Sequence, residues 1–243
     1  LQLQDQIFFS KYLSGTVVEE TKDGIVIEFR YDGDFFTQLD KTGQMPLPPY
    51  IRKFRSVDER DKDDYQPIFS KRLGSIASPT ASLHFDKELI HRIKERGIRT
   101  CFVTLHVGLG TFFPIRTANI NNHEMHPECG EINTAAKKLI NSVLALGNRV
   151  IPVGTTSLRI LESSVATDGK IKVFKGFTNI YITPGFKFRI ASGLITNFHL
   201  PKSSLFILIA SFIGLESAKN LYLHAIRNKY RFYSYGDASL LIP

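Results

Sequence analysis

The 243-residue chain can bury a sizeable core, and its 43% hydrophobic and 22% charged residues exclude a disordered or fibrous protein. Its 31 Lys and Arg against 23 Asp and Glu give a formal net charge of +8, which suits a nucleic-acid partner because neutralised phosphates release counterions. Two cysteines fit neither a disulfide framework nor a paired-cysteine metal motif, and the longest apolar run, residues 205–215, is too short to span a bilayer.

The first 44 residues predict a small antiparallel β unit. Apolar and polar residues alternate at 15–19 and 24–31, and Lys22-Asp-Gly24 between them is a hairpin signal. A short helix is predicted at 35–39, ending at Gly43. These strands are too few to close a barrel or a sandwich by themselves.

A proline-rich segment, Met45-Pro-Leu-Pro-Pro-Tyr-Ile-Arg52, predicts stiff extended backbone. It is either a rigid linker between domains or a wall of a cleft, in which Tyr50 and Arg52 stack on a base or contact a phosphate. The mixed-sign charge run at 54–64 predicts a solvated loop or helix face rather than a site.

Beyond residue 75 strand and helix patterns alternate, which predicts an α/β layer with a ligand cleft outside the strand ends. The predicted strands are 100–107, 150–153, 180–183 and 194–200. The predicted helices are 86–97, 134–146, 157–164, 203–214 and 216–229.

The turn Gly154-Thr-Thr-Ser157 lies between a strand and a helix and is the strongest local indication of a site. The first N–H groups of such a helix lack intrahelical partners and favour an anion. Arg159 and Glu162 are expected to face the same mouth. The alternative is an ordinary N-cap, in which Ser or Thr satisfies those donors.

Two other motifs leave alternatives open. Gly108 and Gly110 allow close backbone approach to a ligand, but the third glycine of a dinucleotide fingerprint is missing. The cluster His123-Glu-Met-His-Pro-Glu128 suggests either a metal loop or acid–base work and ribose recognition by Glu128. Its histidines are three residues apart, which does not match the helical zinc motif.

Near the C-terminal end, Asn197 and His199 share one parity of a predicted strand and therefore one face. The segment 230–237 mixes aromatic residues with a charge pair. It is either an aromatic plug under a terminal strand or a surface that stacks on a base.

These motifs together resemble one family, the S-adenosylmethionine:tRNA ribosyltransferase-isomerases of queuosine synthesis. The resemblance covers residues 45–240 and rests on blocks that stand in order: Met45-Pro-Leu-Pro-Pro-Tyr-Ile, Tyr65-Gln, Pro79-Thr-Ala, Leu83-His-Phe, Thr104-Leu-His-Val-Gly, Gly110-Thr-Phe, the His123–Glu128 cluster, Val153-Gly-Thr-Thr-Ser, Leu161-Glu-Ser, Pro184-Gly, Leu194-Ile-Thr-Asn-Phe-His-Leu-Pro and Tyr230-Arg-Phe with Ser234-Tyr-Gly-Asp.

The resemblance implies a fold and partners. It implies an α/β catalytic domain at 45–243 and, at 1–44, the remainder of an inserted antiparallel β-barrel domain, with a further segment of the family preceding this chain. It implies a cytoplasmic, monomeric enzyme that transfers and isomerises the ribosyl moiety of S-adenosylmethionine onto 7-aminomethyl-7-deazaguanine in tRNA. Neither a metal nor a membrane is implied.

The resemblance also implies the site residues. The acid and base come from the titratable side chains of the matching blocks, which are His84, His106, His126, Glu128 and His199. Substrate binding falls to Thr155, Thr156, Ser157, Arg159, Asn197, Arg231 and Asp237.

The chain departs from the family at several positions, including Ala191-Ser192, where the family has a carboxylate. Two alternative functions follow. One is a truncated, inactive remnant that still binds tRNA or an adenosyl ligand, and the other is a metal-dependent hydrolase built on the His123–Glu128 cluster.

Overall fold

The computed structural model describes residues 1–21, 24–108 and 119–243, which form two compact units, Leu1–Pro46 and Leu47–Pro243. The sequence-based boundary follows residue 44. The predicted turn residues Lys22 and Asp23, and Gly110 of the glycine pair, lie outside the described residues.

The first unit is a three-stranded antiparallel sheet with one helix. Strands β1 (Gln6–Ser10), β2 (Leu13–Thr21) and β3 (Gly24–Tyr31) pair in that order. Helix α1 (Phe35–Thr42) has Asp34 as its N-cap, whose carboxylate accepts from the Thr37 N–H at 2.8 Å, and Gly43 as its C-cap. The predicted hairpin and helix are confirmed. The described strands form an open sheet, so the expected barrel is not confirmed.

The described residues of the second unit form two small antiparallel sheets. One sheet joins β4 (Thr104–His106), β5 (Glu128–Ile132) and β6 (Phe174–Thr178), and the other pairs β7 (Leu194–Asn197) with β8 (Ala238–Leu241). Parallel pairing among the described residues occurs as two isolated bridges, Val150 with Ala191 and Val153 with Ile195. The unit is therefore a mixed α/β structure with antiparallel sheets.

All four predicted strands of the second unit need correction, and the strand at 194–200 ends at Asn197. Residues 180–183 form no strand, although Ile182 is only 2% exposed, and strand β6 lies outside the predicted strands. The strand at 100–107 shortens to β4, and residues 150–153 contribute only the isolated bridges. A run of apolar residues indicates that a segment is buried, but it does not show that the segment is a strand. Irregular backbone can be buried too.

The described helices of the second unit are α2 (Pro49–Arg52), α3 (Asp61–Asp64), α4 (Lys87–Glu95), α5 (Thr134–Ala145), α6 (Thr155–Ser163), α7 (Ser204–Ile213) and α8 (Leu215–Arg227). The last five begin and end close to their predicted bounds, whereas α2 and α3 have no predicted bounds. A 3₁₀ turn, Thr80–His84, precedes α4. The single turn α2 corrects the prediction of a wholly extended proline-rich segment, because Pro49 occupies the first helical position, where no N–H is needed.

Helix α6 lies between two apolar clusters, which fixes its position. Leu158 packs with Leu194 and Leu208 in one cluster, and Ile160 packs with Ile132 in the other. Within the described residues no single helix is long and apolar enough to cross a membrane; α7 and α8 reach that composition only as a pair bent by 114°.

Candidate active site

A cleft of about 80 Å³, room for several waters, lies in the second unit where α6 begins and β7 ends, and both apolar and polar side chains line it. Six separate segments of the described chain line it. Its polar or small lining residues include Tyr50, Ser78, Thr80, Gly154, Thr155, Thr156, Thr196, Asn197, His199, Ser203, Tyr233 and Ser234.

The start of α6 forms one wall of the cleft. Gly154 is the N-cap, with φ of 88°, and its N–H donates to the Ile195 carbonyl at 2.8 Å, which ties the turn to β7. A glycine has no side chain to accept from the first helical N–H groups, so the ordinary Ser or Thr N-cap is not formed. Thr155 and Thr156 line the cleft, and Ser157 does not. This wall favours an anionic group.

Asn197 is fixed at the floor of the cleft. It is 2% exposed, its Oδ1 accepts from the Thr80 hydroxyl at 3.0 Å, and its Nδ2 donates to the Gly236 carbonyl at 3.3 Å. The same Nδ2 lies 3.4 Å from Nε2 of His84, whose ring is on the surface. Asn197 is therefore an oriented polar group, and it brings His84 to the edge of the site.

His199 lines the cleft two residues further along. Its Nε2 lies 2.8 Å from the Thr196 hydroxyl, and its backbone N–H donates to the Tyr222 hydroxyl at 2.8 Å. Burial lowers the pKa of His199 to about 4 and raises the pKa of Tyr222 to about 12. At pH 7 His199 is a neutral imidazole that can accept a proton.

Arg159 and Glu128 form a buried ion pair away from this cleft. Both side chains are 4% exposed, and the Arg159 Nη1 donates to the Glu128 carboxylate. Arg159 lines a second, smaller cavity beside Tyr181. Arg159 therefore does not line the cleft with Thr155 and Thr156, although the sequence predicts all three as substrate-binding residues.

Glu162 does not face the mouth of the cleft, so that expectation is wrong. Its carboxylate accepts from the backbone N–H groups of Arg189, Ile190 and Ala191 at 3.0–3.1 Å. Three main-chain donors hold this carboxylate within the fold, where it anchors α6 to the segment leading into β7.

The remaining predicted site residues lie outside the lining of the cleft. His106 is on β4, opposite Cys129, and His126 is on the surface. Arg231 and Asp237 pair with each other at 2.9 Å, and the Arg231 N–H and guanidinium lower the pKa of that carboxyl. Among the described residues no group of three or more His, Cys, Asp or Glu could hold a metal ion.

Several lining residues were missed or left open by sequence reasoning. The Tyr50 hydroxyl is hydrogen-bonded to Ser234, which favours the cleft-wall interpretation of the proline-rich segment for Tyr50; Arg52 is not in the lining. Thr80 and Thr196 orient Asn197 and His199. The sequence around Tyr50 does not indicate its contact with Ser234, because the two residues are 184 positions apart.

The prediction that the charge run at 54–64 is solvated also needs correction, because Asp61 within it is only 1% exposed. Its carboxylate accepts from the Arg55 guanidinium at 2.7 Å and from the Tyr235 hydroxyl at 2.8 Å. The pKa of Asp61 is held low, chiefly by Arg55. The aromatic segment at 230–237 includes the predicted plug, since Phe232 packs on Phe198.

The fold and the cleft define an α/β protein with a site for a small ligand at the end of a strand and the start of a helix. The crystal structure of S-adenosylmethionine tRNA ribosyltransferase from Thermotoga maritima shares this fold, with a TM-score of 0.55 and 24% identity. The match covers 100% of this chain and 66% of that one, a little under two thirds.

The family follows from sequence comparison. Residues 1–241 match the queuosine biosynthesis protein family, and the chain belongs to it. Similar relatives are named S-adenosylmethionine:tRNA ribosyltransferase-isomerase. The protein of Roseobacter denitrificans is 48% identical over 245 residues, covering 100% of this chain and 69% of that protein. The protein of Dinoroseobacter shibae is 49% identical over 240 residues, covering 98% and 68%. The resemblance stated from the motifs is confirmed.

Proposed function

We propose that this chain carries the active site of an S-adenosylmethionine:tRNA ribosyltransferase-isomerase of queuosine biosynthesis. It transfers and isomerises the ribosyl moiety of S-adenosylmethionine onto 7-aminomethyl-7-deazaguanine in tRNA, giving epoxyqueuosine-tRNA. Membership of the family over residues 1–241 supports this function. The observation that carries the site is the cleft that gathers Thr155, Thr156, Asn197 and His199 from separate parts of the chain.

The cleft offers a group for each kind of step that the reaction needs. The attacking amine and an acidic ribosyl carbon must each lose a proton, and the departing adenine must gain one. His199, neutral and hydrogen-bonded to Thr196, is the candidate proton acceptor. Asn197 donates or accepts at a fixed position on a ribose or base, and the start of α6 holds an anionic group of a substrate.

His84 extends the same site at its edge, beside Asn197, as a proton donor or acceptor. Arg231 and Asp237, paired on the surface next to the Gly236 carbonyl that accepts from Asn197, are candidate tRNA contacts. The net charge of +8 supports a tRNA partner. We expect a cytoplasmic monomer that uses S-adenosylmethionine as a co-substrate and no metal.

The test is adenine release from S-adenosylmethionine in the presence of tRNA that carries 7-aminomethyl-7-deazaguanine. Release by the 243-residue chain supports the function. We expect His199→Asn to lower the rate by about 100-fold, the typical contribution of a positioned general base. His91→Asn is the matched control, because His91 is an exposed residue of α4 paired with Glu95.

Two outcomes would contradict the proposal. Binding of S-adenosylmethionine without adenine release would favour the inactive remnant. Loss of release on treatment with a chelator would favour the metal-dependent hydrolase, which no cluster among the described residues supports. Full activity in a folded His199→Asn variant would remove His199 from the mechanism.

A further inference from the structure

The second cavity is small and polar at one end. Arg159, Tyr181 and Ser204 line it together with the apolar side chains of Met125 and Leu205. Its volume is about 10 Å³, which is close to the space of one water-sized group. This cavity therefore accommodates the tip of a ligand rather than a whole one.

Two side chains of this cavity carry buried polar atoms without a partner among the described residues. Arg159 uses Nη1 to bind Glu128, but its Nε and Nη2 make no hydrogen bond there, and neither does the Tyr181 hydroxyl. Arg159 is only 3% exposed, so water at the protein surface does not reach these atoms. A buried donor left unsatisfied is costly, which is why such groups usually have a partner.

The chemistry of these atoms selects the partner. Nε and Nη2 form the side edge of the guanidinium, whose two parallel N–H groups match the two oxygens of a carboxylate. Burial raises the pKa of Tyr181, so its hydroxyl stays protonated and can donate. Ser204 adds a hydroxyl in the first turn of α7, at the positive end of that helix. The unsatisfied groups are donors, which an anion with two oxygens would satisfy.

The cavity adjoins the cleft. Leu205 lines both, and Arg159 follows Thr155 by four residues on α6, so the two sites lie about one helical turn, ~5.4 Å, apart along this helix. A ligand with a sugar and base in the cleft and a short chain ending in a carboxylate would reach both. Met125, which is unbranched and flexible, can move to admit the carboxylate.

We propose that Arg159 and Tyr181 form a carboxylate subsite that binds the methionine end of S-adenosylmethionine. The inference rests on the proposed function and deepens it, because it separates the contact for the amino-acid end from the contacts at the start of α6. Arg159 keeps its bond to Glu128 and uses its other edge for the ligand.

The test compares the binding of S-adenosylmethionine with that of its decarboxylated analogue, which keeps the adenosine, the sulfonium and the amine. We expect the chain to bind S-adenosylmethionine about tenfold to a hundredfold more tightly, as charge-assisted hydrogen bonds predict. Arg159→Lys keeps the positive charge beside Glu128 but loses the two parallel N–H groups of the guanidinium. In this variant the ratio of the two affinities should fall toward one. Tyr181→Phe, which removes a single hydroxyl, lowers the ratio less and is the second variant if Arg159→Lys fails to fold.

The matched control is Arg99→Lys, because Arg99 is an exposed arginine bonded to Ser142, and its ratio should equal that of the unchanged chain. An unchanged ratio in both cavity variants would overturn the subsite and indicate that the cavity holds only water. Because binding is measured apart from adenine release, that result leaves the proposed function standing. Failure to bind either nucleoside would overturn both.

Discussion

At the scale of single residues, His199 shows how the fold sets the chemistry of one side chain. The fold partly buries its ring beside the hydroxyl of Thr196 and fixes its backbone to Tyr222. An exposed histidine is partly protonated near neutral pH, whereas burial keeps this one neutral. The same burial leaves the ring unprotonated at pH 7, weakens it as a base, and must cost stability in acid.

The predicted acid sensitivity follows from the two pKa values. The unfolded chain protonates His199 near its ordinary value of 6.5 and the folded chain near 4, so the unfolded state binds more protons between these values. The free energy of unfolding contributed by this residue should fall by roughly 3 kcal/mol as the pH drops from about 6.5 to 4. Above pH 6.5 it should not change.

Urea unfolding at pH 7 and pH 5 of the original chain and of His199→Asn measures this effect. The original chain should lose more stability between the two pH values than the variant does, whereas His91→Asn, at an exposed position, should behave like the original. Equal losses in the His199→Asn variant and in the original would contradict the assignment.

Sequence reasoning at this scale found some site residues and missed their partners. Strand parity predicts a shared face for Asn197 and His199; both line the cleft, but β7 ends at Asn197, so His199 reaches it from the segment after the strand. Thr80, which orients Asn197, is 117 residues away, and nothing in its local sequence marks it. Arg159 was grouped with Thr155 by proximity in sequence, but its bond to Glu128 directs it into another cavity.

At the scale of secondary structure, α6 is the element on which the site depends. Its N-terminus lines the cleft, Arg159 lies in its middle, and Glu162 anchors its C-terminal half. Since the Glu162 carboxylate accepts from three backbone N–H groups of residues 189–191, it aligns α6 with the segment that leads into β7.

Glu162→Ala should lower the free energy of unfolding by about 3 kcal/mol, because the buried N–H groups lose their acceptor. Chemical denaturation measures the change. Glu216→Ala is the control: Glu216 is an exposed residue paired with Lys219, and such surface pairs contribute little. A loss in Glu162→Ala no larger than in the control would show that the three bonds do not anchor the helix.

Helices were predicted better than strands, for a physical reason. The side chains of Asp86, Asn133 and Ser203 each accept a hydrogen bond from the backbone N–H of the third residue of the helix that follows. This contact is local, so the sequence alone indicates it. Strand pairing depends on a distant partner. Thus β6 is defined by its pairing with β5, which its own five residues do not display, whereas buried Ile182 lies in irregular backbone.

At the scale of the whole molecule, contacts over long sequence distances complete the second unit. Asp61 and Tyr235, 174 residues apart, are hydrogen-bonded at 2.8 Å, and Tyr50 bonds Ser234 next to them. The Gly236 carbonyl then accepts from Asn197. The segment 230–237 is thereby held against the cleft at both its wall and its floor.

Tyr235→Phe should lower the free energy of unfolding by about 2 kcal/mol, since it removes a hydrogen bond to a buried carboxylate but keeps the ring against Tyr65. It should also raise the KM for S-adenosylmethionine, because residues 234 and 236 lose a neighbouring anchor. Tyr12→Phe, at an exposed position, is the control. If Tyr235→Phe matches this control in both stability and KM, the contact has no role in the cleft.

The residues that form these long-range contacts leave the ribosome at different times. A ribosome releases residues 50–199 before residues 230–241, so the nascent chain holds Tyr50, Thr155 and Asn197 while Ser234 and Gly236 are still in the exit tunnel. The carbonyl that accepts from Asn197 and the partner of β7 arrive only with residues 230–241. A chain stalled or cut short before residue 230 would therefore lack both and bind ligand poorly.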